Sequence, residues 1–154
     1  MIDNNKLKKF ANDLSTLTFE MQKICSLKET YFCKSINLTP IEFRCLRYLY
    51  NNDFLRLSEL AKKMELTPSR VTTLLNSLEK KEYLKRDISP NDRRIIKVAL
   101  TAEGEQYAKE ITNKYIDFHK EILNLIEDEY DIDDLLKNLH NFQNIMKGFI
   151  KINV

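Results

Sequence analysis

Thr67-Pro68-Ser69-Arg70-Val71-Thr72-Thr73-Leu74-Leu75-Asn76-Ser77-Leu78-Glu79-Lys80-Lys81 is the stretch that decides the fold. Thr67 followed by Pro68 marks a helix start, a capping hydroxyl and then a residue whose fixed φ and missing N–H suit the first helical position. Val71, Leu74, Leu75 and Leu78 recur at helical spacing and predict the buried face. Ser69, Arg70, Thr72, Thr73 and Asn76 fall on the opposite face, four short hydrogen-bonding side chains and one arginine. Such a face fits a major groove and reads base edges, with Arg70 suited to guanine and Asn76 to adenine. Ordinary solvated helix surfaces carry the same residue types, so the flanking sequence has to decide between the two readings.

Upstream, Ser58 is placed to cap a short helix with Leu60, Ala61 and Met64 inward, and Glu65-Leu66 makes the turn into the decisive helix. Downstream the period changes from helical to two. Ile96, Val98 and Leu100 alternate with Ile95, Lys97 and Ala99, and Tyr83 to Ile88 supplies an antiparallel partner. Between them Ser89-Pro90-Asn91-Asp92 suits a β-turn. Helix, turn, helix, strand, turn, strand is the order of a winged helix-turn-helix with a two-stranded hairpin wing. The wing tip carries Asp92, Arg93 and Arg94. An arginine there can enter a narrow minor groove, and Asp92 can hold Arg94 through a charge-assisted hydrogen bond. The plainer alternative is a surface ion pair of little energetic consequence.

Long helices flank this module. Leu7, Phe10, Leu14, Leu17, Met21 and Ile24 form a heptad-like seam in a helix predicted over 7–31. So narrow a stripe packs on another helix, within the subunit or across a dimer. Thr39-Pro40-Ile41-Glu42 is a capping box opening a helix to about Tyr50, with Ile41, Cys45, Leu46 and Leu49 inward. Thr101 caps a further helix with Tyr107, Ile111, Tyr115, Phe118, Ile122, Leu125 and Ile126 as its stripe. An acidic cluster from Glu127 to Asp134 precedes a last helix marked by Leu135, Leu139, Phe142, Met146 and Phe149. The class is mainly α (α+β): a winged helix-turn-helix lobe over 36–101, with long N- and C-terminal dimerisation helices over 1–35 and 102–154.

Composition narrows the function. The 154 residues hold 43% hydrophobic and 31% charged side chains and only 2 Gly, too apolar for disorder and poor in the glycine that phosphate loops need. Apolar residues never run beyond three together, so neither a spanning helix nor a signal peptide is expected. The net charge is only +2, but it is unevenly placed. Residues 54–101 carry 11 basic and 6 acidic side chains, a net +5, and the rest of the chain, with 14 basic and 17 acidic, is −3. A basic module on an acidic body is the footprint of a duplex binder, with Ser58, Lys62, Lys63 and Lys85 as candidate phosphate contacts.

Asp92-Arg93-Arg94-Ile95-Ile96-Lys97-Val98-Ala99-Leu100-Thr101-Ala102-Glu103-Gly104 resembles the wing signature D-x-R-x-x-x-V-x-L-T-x-x-G of the MarR (multiple antibiotic resistance) transcriptional regulators. Leu57-Ser58-Glu59-Leu60-Ala61 and Val71 to Lys81 are similar to that family's two helix-turn-helix helices, and the helix order matches from end to end. One departure is Glu82, where the family has glycine after the Lys-Lys pair; a left-handed backbone there would cost Glu82 about 1 kcal/mol. The resemblance implies a homodimer, held by its first and last helices, that binds double-stranded DNA at a pseudo-palindromic operator, often as a repressor, and the expected location is the cytoplasm. It further implies a signal. One form is a small aromatic or anionic effector in a cleft for which Tyr31, Phe32, Arg44 and Arg47 are candidates. The other is an oxidant sensed by a thiol, for which Cys25 and Cys33 are candidates.

Other readings have less behind them. The odd set Cys25, Cys33 and Cys45 is neither a disulfide framework nor a zinc pattern, and reduced thiols are expected. His119 and His140 sit in no metal or catalytic spacing, so neither a metal, a cofactor nor an enzymatic activity is expected. The alternatives are a winged helix used only for protein contact and a thiol-dependent enzyme.

Overall fold

The computed structural model describes residues 3–50, 52–88, 96–126 and 131–153. The order is α1 (Asn4–Ser35), α2 (Pro40–Tyr50), β1 (Leu55–Arg56), α3 (Leu57–Lys63), α4 (Pro68–Lys80), β2 (Leu84–Ile88), β3 (Ile96–Leu100), α5 (Ala102–Leu123) and α6 (Ile132–Asn153). Two compact units result, Met1–Tyr115 and Ile116–Val154. The first unit contains the winged helix-turn-helix together with α1 and the opening of α5.

Three helix ends share one device. Asn37, Glu65 and Glu82 take φ of 52°, 53° and 61°, each one residue beyond the helix cap. In each case the following N–H reaches back five residues: Leu38 to Cys33 O (3.1 Å), Leu66 to Ala61 O (3.0 Å) and Tyr83 to Leu78 O (3.0 Å). These are Schellman motifs, which satisfy the last carbonyls of a helix and reverse the chain. Glycine is the usual residue at the left-handed position. Here asparagine and two glutamates hold it, which explains how a chain with 2 Gly turns so often. The left-handed conformation anticipated for Glu82 is therefore present.

The starts differ from expectation in detail. α3 begins at Leu57, one residue before the anticipated cap Ser58, because the Glu59 carboxylate accepts the Arg56 N–H at 3.0 Å and fixes the entry there. At α4, Val71 N–H bonds Thr67 O at 3.0 Å, but the Thr67 hydroxyl pairs with Ser69 Oγ at 3.3 Å and caps no N–H. α1 runs past the predicted 31 to Ser35 because Phe32 and Cys33 are buried against the lobe.

The sheet has three strands, not two. β1 pairs antiparallel with β3 (Leu55 opposite Val98), and β2 pairs with β3 from Leu84–Leu100 to Ile88–Ile96, giving the order β1-β3-β2. Two residues of extended chain were too short to announce a strand. The predicted turn Ser89-Pro90-Asn91-Asp92 and Ile95 lie outside the described residues, as does the acidic stretch 127–130.

The core of the first unit is made by Phe43, Leu46 and Leu49 of α2, Leu60 of α3, Leu75 and Leu78 of α4, Val98 of β3 and Ile111 of α5, all without solvent exposure. Ile41, expected inside, is half-buried, and Phe43 takes the inward place. Gly104 is required by packing. A Cβ there would stand 1.7 Å from the Tyr83 carbonyl oxygen, so α5 can meet the end of α4 only through hydrogen. Thr101 caps α5 as expected, accepting the Gly104 N–H at 2.9 Å and donating to Glu82 O at 2.6 Å.

The heptad seam of α1 stays half-exposed. Leu7, Phe10, Leu14, Leu17, Met21 and Ile24 are 45–58% exposed. In the second unit, α6 likewise exposes Leu135, Leu139, Met146 and Phe149, with Asp131 Oδ1 accepting the Asp133 N–H at 2.8 Å at its start. No helix among the described residues is long and apolar enough to cross a membrane.

Candidate nucleic-acid interface

α4 sorts its side chains as its sequence implies. Val71, Leu74, Leu75 and Leu78 are buried, while Ser69, Arg70, Thr72, Thr73 and Asn76 are all exposed. The two threonine hydroxyls donate to their own helix, Thr72 to Pro68 O at 3.0 Å and Thr73 to Ser69 O at 3.1 Å. Their methyl groups and remaining acceptor capacity face outward, a surface matched to thymine methyls and base amines.

A buried carboxylate anchors α4. Glu42, in the first turn of α2, is 4% exposed and accepts from Thr39 N (2.9 Å), Thr39 Oγ1 (3.0 Å), Ser77 Oγ (2.7 Å) and Lys81 Nζ (3.1 Å). Burial alone would raise its pKa. The hydrogen bonds from Thr39, Ser77 and Lys81 outweigh burial and hold the carboxyl below its ordinary value. The capping box at Thr39–Glu42 was legible in sequence. Its second role, tying α2 to Ser77 and Lys81 across the helix interface, was not, because those partners lie 35 and 39 residues away.

Two depressions border α4. One of about 450 Å³ runs from Thr39 and Ile41 across Ser69, Arg70 and Thr73. Another of about 320 Å³ brings Ser58, Thr72 and Ile96 together with Arg56, a cation that sequence reasoning passed over. Lys62, Lys63 and Lys85 are exposed as phosphate contacts require. Asp92, Arg93 and Arg94, the wing tip, lie outside the described residues. A further cation, Arg86 of β2, was also missed: it bonds both Glu79 and Asn76 of α4.

The residues nominated for a signal are distributed differently. Phe32 is core, its ring packed at a tilt on Phe43 (centroids 5.2 Å) and Tyr115 (4.8 Å), whereas Tyr31 is 70% exposed. Arg44 is engaged in a fork with Glu29, and Arg47 lies over Tyr115 at 5.1 Å and Phe43 at 5.5 Å. Cys25 is exposed. Burial, with the Glu29 carboxylate adding to it, pushes the Cys33 thiol up to about 11, the reverse of what makes a thiol reactive, and burial pushes Cys45 up to about 12.

Comparison with known proteins gives a consistent answer. The family model described as MarR family matches residues 38–96. The HTH-type transcriptional regulator YsmB of Bacillus subtilis is 32% identical over 110 residues, covering 71% of this chain and 75% of its own. The HTH-type transcriptional repressor MdtR of the same organism is 36% identical over 74 residues, 48% of each chain. Among solved structures, a Staphylococcus aureus MepR–DNA complex superimposes with a TM-score of 0.68 at 20% identity, over 87% of this chain and 96% of that one. At that identity the likeness speaks for the fold.

Proposed function

The chain belongs to the MarR family of transcriptional regulators, and from that premise we propose that it is a homodimeric repressor binding a pseudo-palindromic DNA operator. The observation that carries the reading is the two-faced α4, with four aliphatic side chains buried and five polar ones exposed. On this reading Ser69, Arg70, Thr72, Thr73 and Asn76 read bases in the major groove. Ser58, Lys62, Lys63 and Lys85 bind phosphates, and Asp92, Arg93 and Arg94 reach the minor groove.

The dimer is supported by the α1 and α6 stripes. Apolar side chains half-exposed at heptad spacing along a helix mark a surface that another helix covers. Residues 1–35 and 102–154 then serve dimerisation and 36–101 DNA binding. Two-fold symmetry places the paired α4 helices about one turn of DNA apart, roughly 34 Å. Such a regulator works in the cytoplasm. Its release by a small aromatic or anionic effector near Arg44 and Arg47, or by oxidation of the exposed Cys25, completes the reading.

A gel-shift titration tests it. The gene's own upstream region should bind far more tightly than random duplex, with affinity falling steeply as salt rises. Arg70→Ala should relax base preference, Lys62→Ala should weaken all sequences alike, and Arg94→Ala should cost about 1–3 kcal/mol of operator binding. Equal affinity for operator and random duplex would overturn the proposal.

A further inference from the structure

Arg86 reaches α4 from β2 and hydrogen-bonds a member of its base-reading face. Its Nε donates to Glu79 Oε1 at 2.8 Å, and its Nη2 donates to Glu79 Oε2 and to Asn76 Oδ1, the latter at 2.7 Å. Asn76 and Glu79 stand three residues apart on α4 and so share a face. A guanidinium carries donors only, so the end of the Asn76 amide that meets it must be the oxygen. Chemistry thereby fixes an orientation that an exposed amide otherwise leaves open. Arg86 and Glu79 are each only 28% exposed and grip one another as a fork, whereas Asn76 is exposed.

We propose that Arg86 and Glu79 are positioning residues that present Asn76 to DNA as a hydrogen-bond donor, so that α4 reads an acceptor edge there, guanine O6/N7 or thymine O4, in preference to adenine. Adenine recognition needs the amide oxygen to accept from the N6 amine while the amide nitrogen donates to N7. Here a charged donor engages one of the oxygen's two lone pairs and weakens it as an acceptor for N6, which leaves the Nδ2 amine as the stronger group to offer. The expectation from sequence alone, Asn76 on adenine, took no account of a partner that arrives from β2. This inference rests on α4 being the base-reading helix.

The test is selection of bound fragments from a random DNA pool by the full-length protein and its variants, each first shown by circular dichroism to melt cooperatively. The position read by Asn76 is the one whose preference Asn76→Ala flattens. Wild type should select guanine or thymine there, over adenine by roughly tenfold. Arg86→Met and Glu79→Gln should shift that position alone, toward adenine or to no preference, and Arg86→Lys should retain part of the wild-type preference. In the Asn76→Ala background, Arg86→Met should change nothing further at that position. Adenine selected there by wild type would overturn the inference. So would an unchanged motif with uniformly weaker binding in the Arg86 and Glu79 variants, the signature of a fork that merely ties β2 to α4. So would an Asn76→Ala motif identical to wild type. Selection of no motif at all would instead overturn the DNA-reading function itself, and this inference with it.

Discussion

The lobe around α2, α3 and α4 and the N-terminal two-thirds of α1 are both rich in leucine and phenylalanine, yet they end in opposite states. In the lobe Leu46, Leu49, Leu60, Leu75 and Leu78 are closed off from water by one another. Along α1 the stripe from Leu7 to Ile24 is 45–58% exposed. Hydrophobic spacing creates a face in both places. What differs is the supply of a complementary face. α2, α3 and α4 are short helices, and Schellman turns at Asn37 and Glu65 deliver α2 onto the end of α1 and α4 onto α3. The stripe of α1 from Leu7 to Ile24 stays half-exposed, and its burial is what the proposed dimer would supply.

The largest expected effect separates the two regions directly. Leu46→Ala should cost about 2–5 kcal/mol in urea unfolding, independent of protein concentration. Leu14→Ala should instead make the unfolding midpoint fall with dilution, as loss of a subunit contact does. If Leu14→Ala destabilised by a fixed amount at every concentration, the α1 stripe would have an intrachain partner and the comparison would collapse.

Next in size is Gly104→Ala, which forces a methyl into the Tyr83 carbonyl and should cost at least about 2 kcal/mol in thermal unfolding. A neutral result would mean that the α5–lobe junction is looser than the helices it joins.

Glu42→Gln should follow, at about 1–3 kcal/mol at neutral pH, because Lys81 and Ser77 lose a charged acceptor. It should also alter the acid limb. The folded carboxyl lies below the ordinary value of 4.5, so its contribution is complete above that pH and vanishes as pH falls through the depressed folded value. The gap between wild type and Glu42→Gln should therefore close on acidification below 4.5. A gap that persists unchanged to pH 2 would remove the carboxylate from the account.

The smallest effect has the opposite sign. Glu82→Gly relieves a left-handed residue at φ 61° and should stabilise by about 1 kcal/mol, since the Thr101 bond to its carbonyl is retained. Destabilisation would show that the Glu82 side chain contributes more than its backbone strain takes away.

Much of the site was legible because α4 carries its own instructions. A proline at its first position, four aliphatics at helical spacing, and four short polar residues with one arginine between them need no distant partner to be read. Glu82 was legible as a departure from glycine, but Asn37 and Glu65 were not, since nothing local marks a left-handed asparagine or glutamate. Arg56 and Arg86 were missed for a different reason. Each stands on a strand whose facing residues come from elsewhere, and alternation along a strand names a face without naming its neighbour.

The amino-acid sequence by itself determined the helices of the lobe, the buried side of α4, the capping at Thr39 and Thr101 and the concentration of positive charge on residues 54–101. All of these follow from interactions within about one helical turn, or from counting. Tertiary structure alone decided that β1 joins the wing strands and that Glu42 locks α2 to the end of α4. It alone decided that Arg86 takes the oxygen of Asn76 and that the α1 stripe stays half-exposed. Each of those depends on which distant groups arrive together, and the free energy of a hydrogen bond or an apolar contact belongs to the meeting, not to either residue alone.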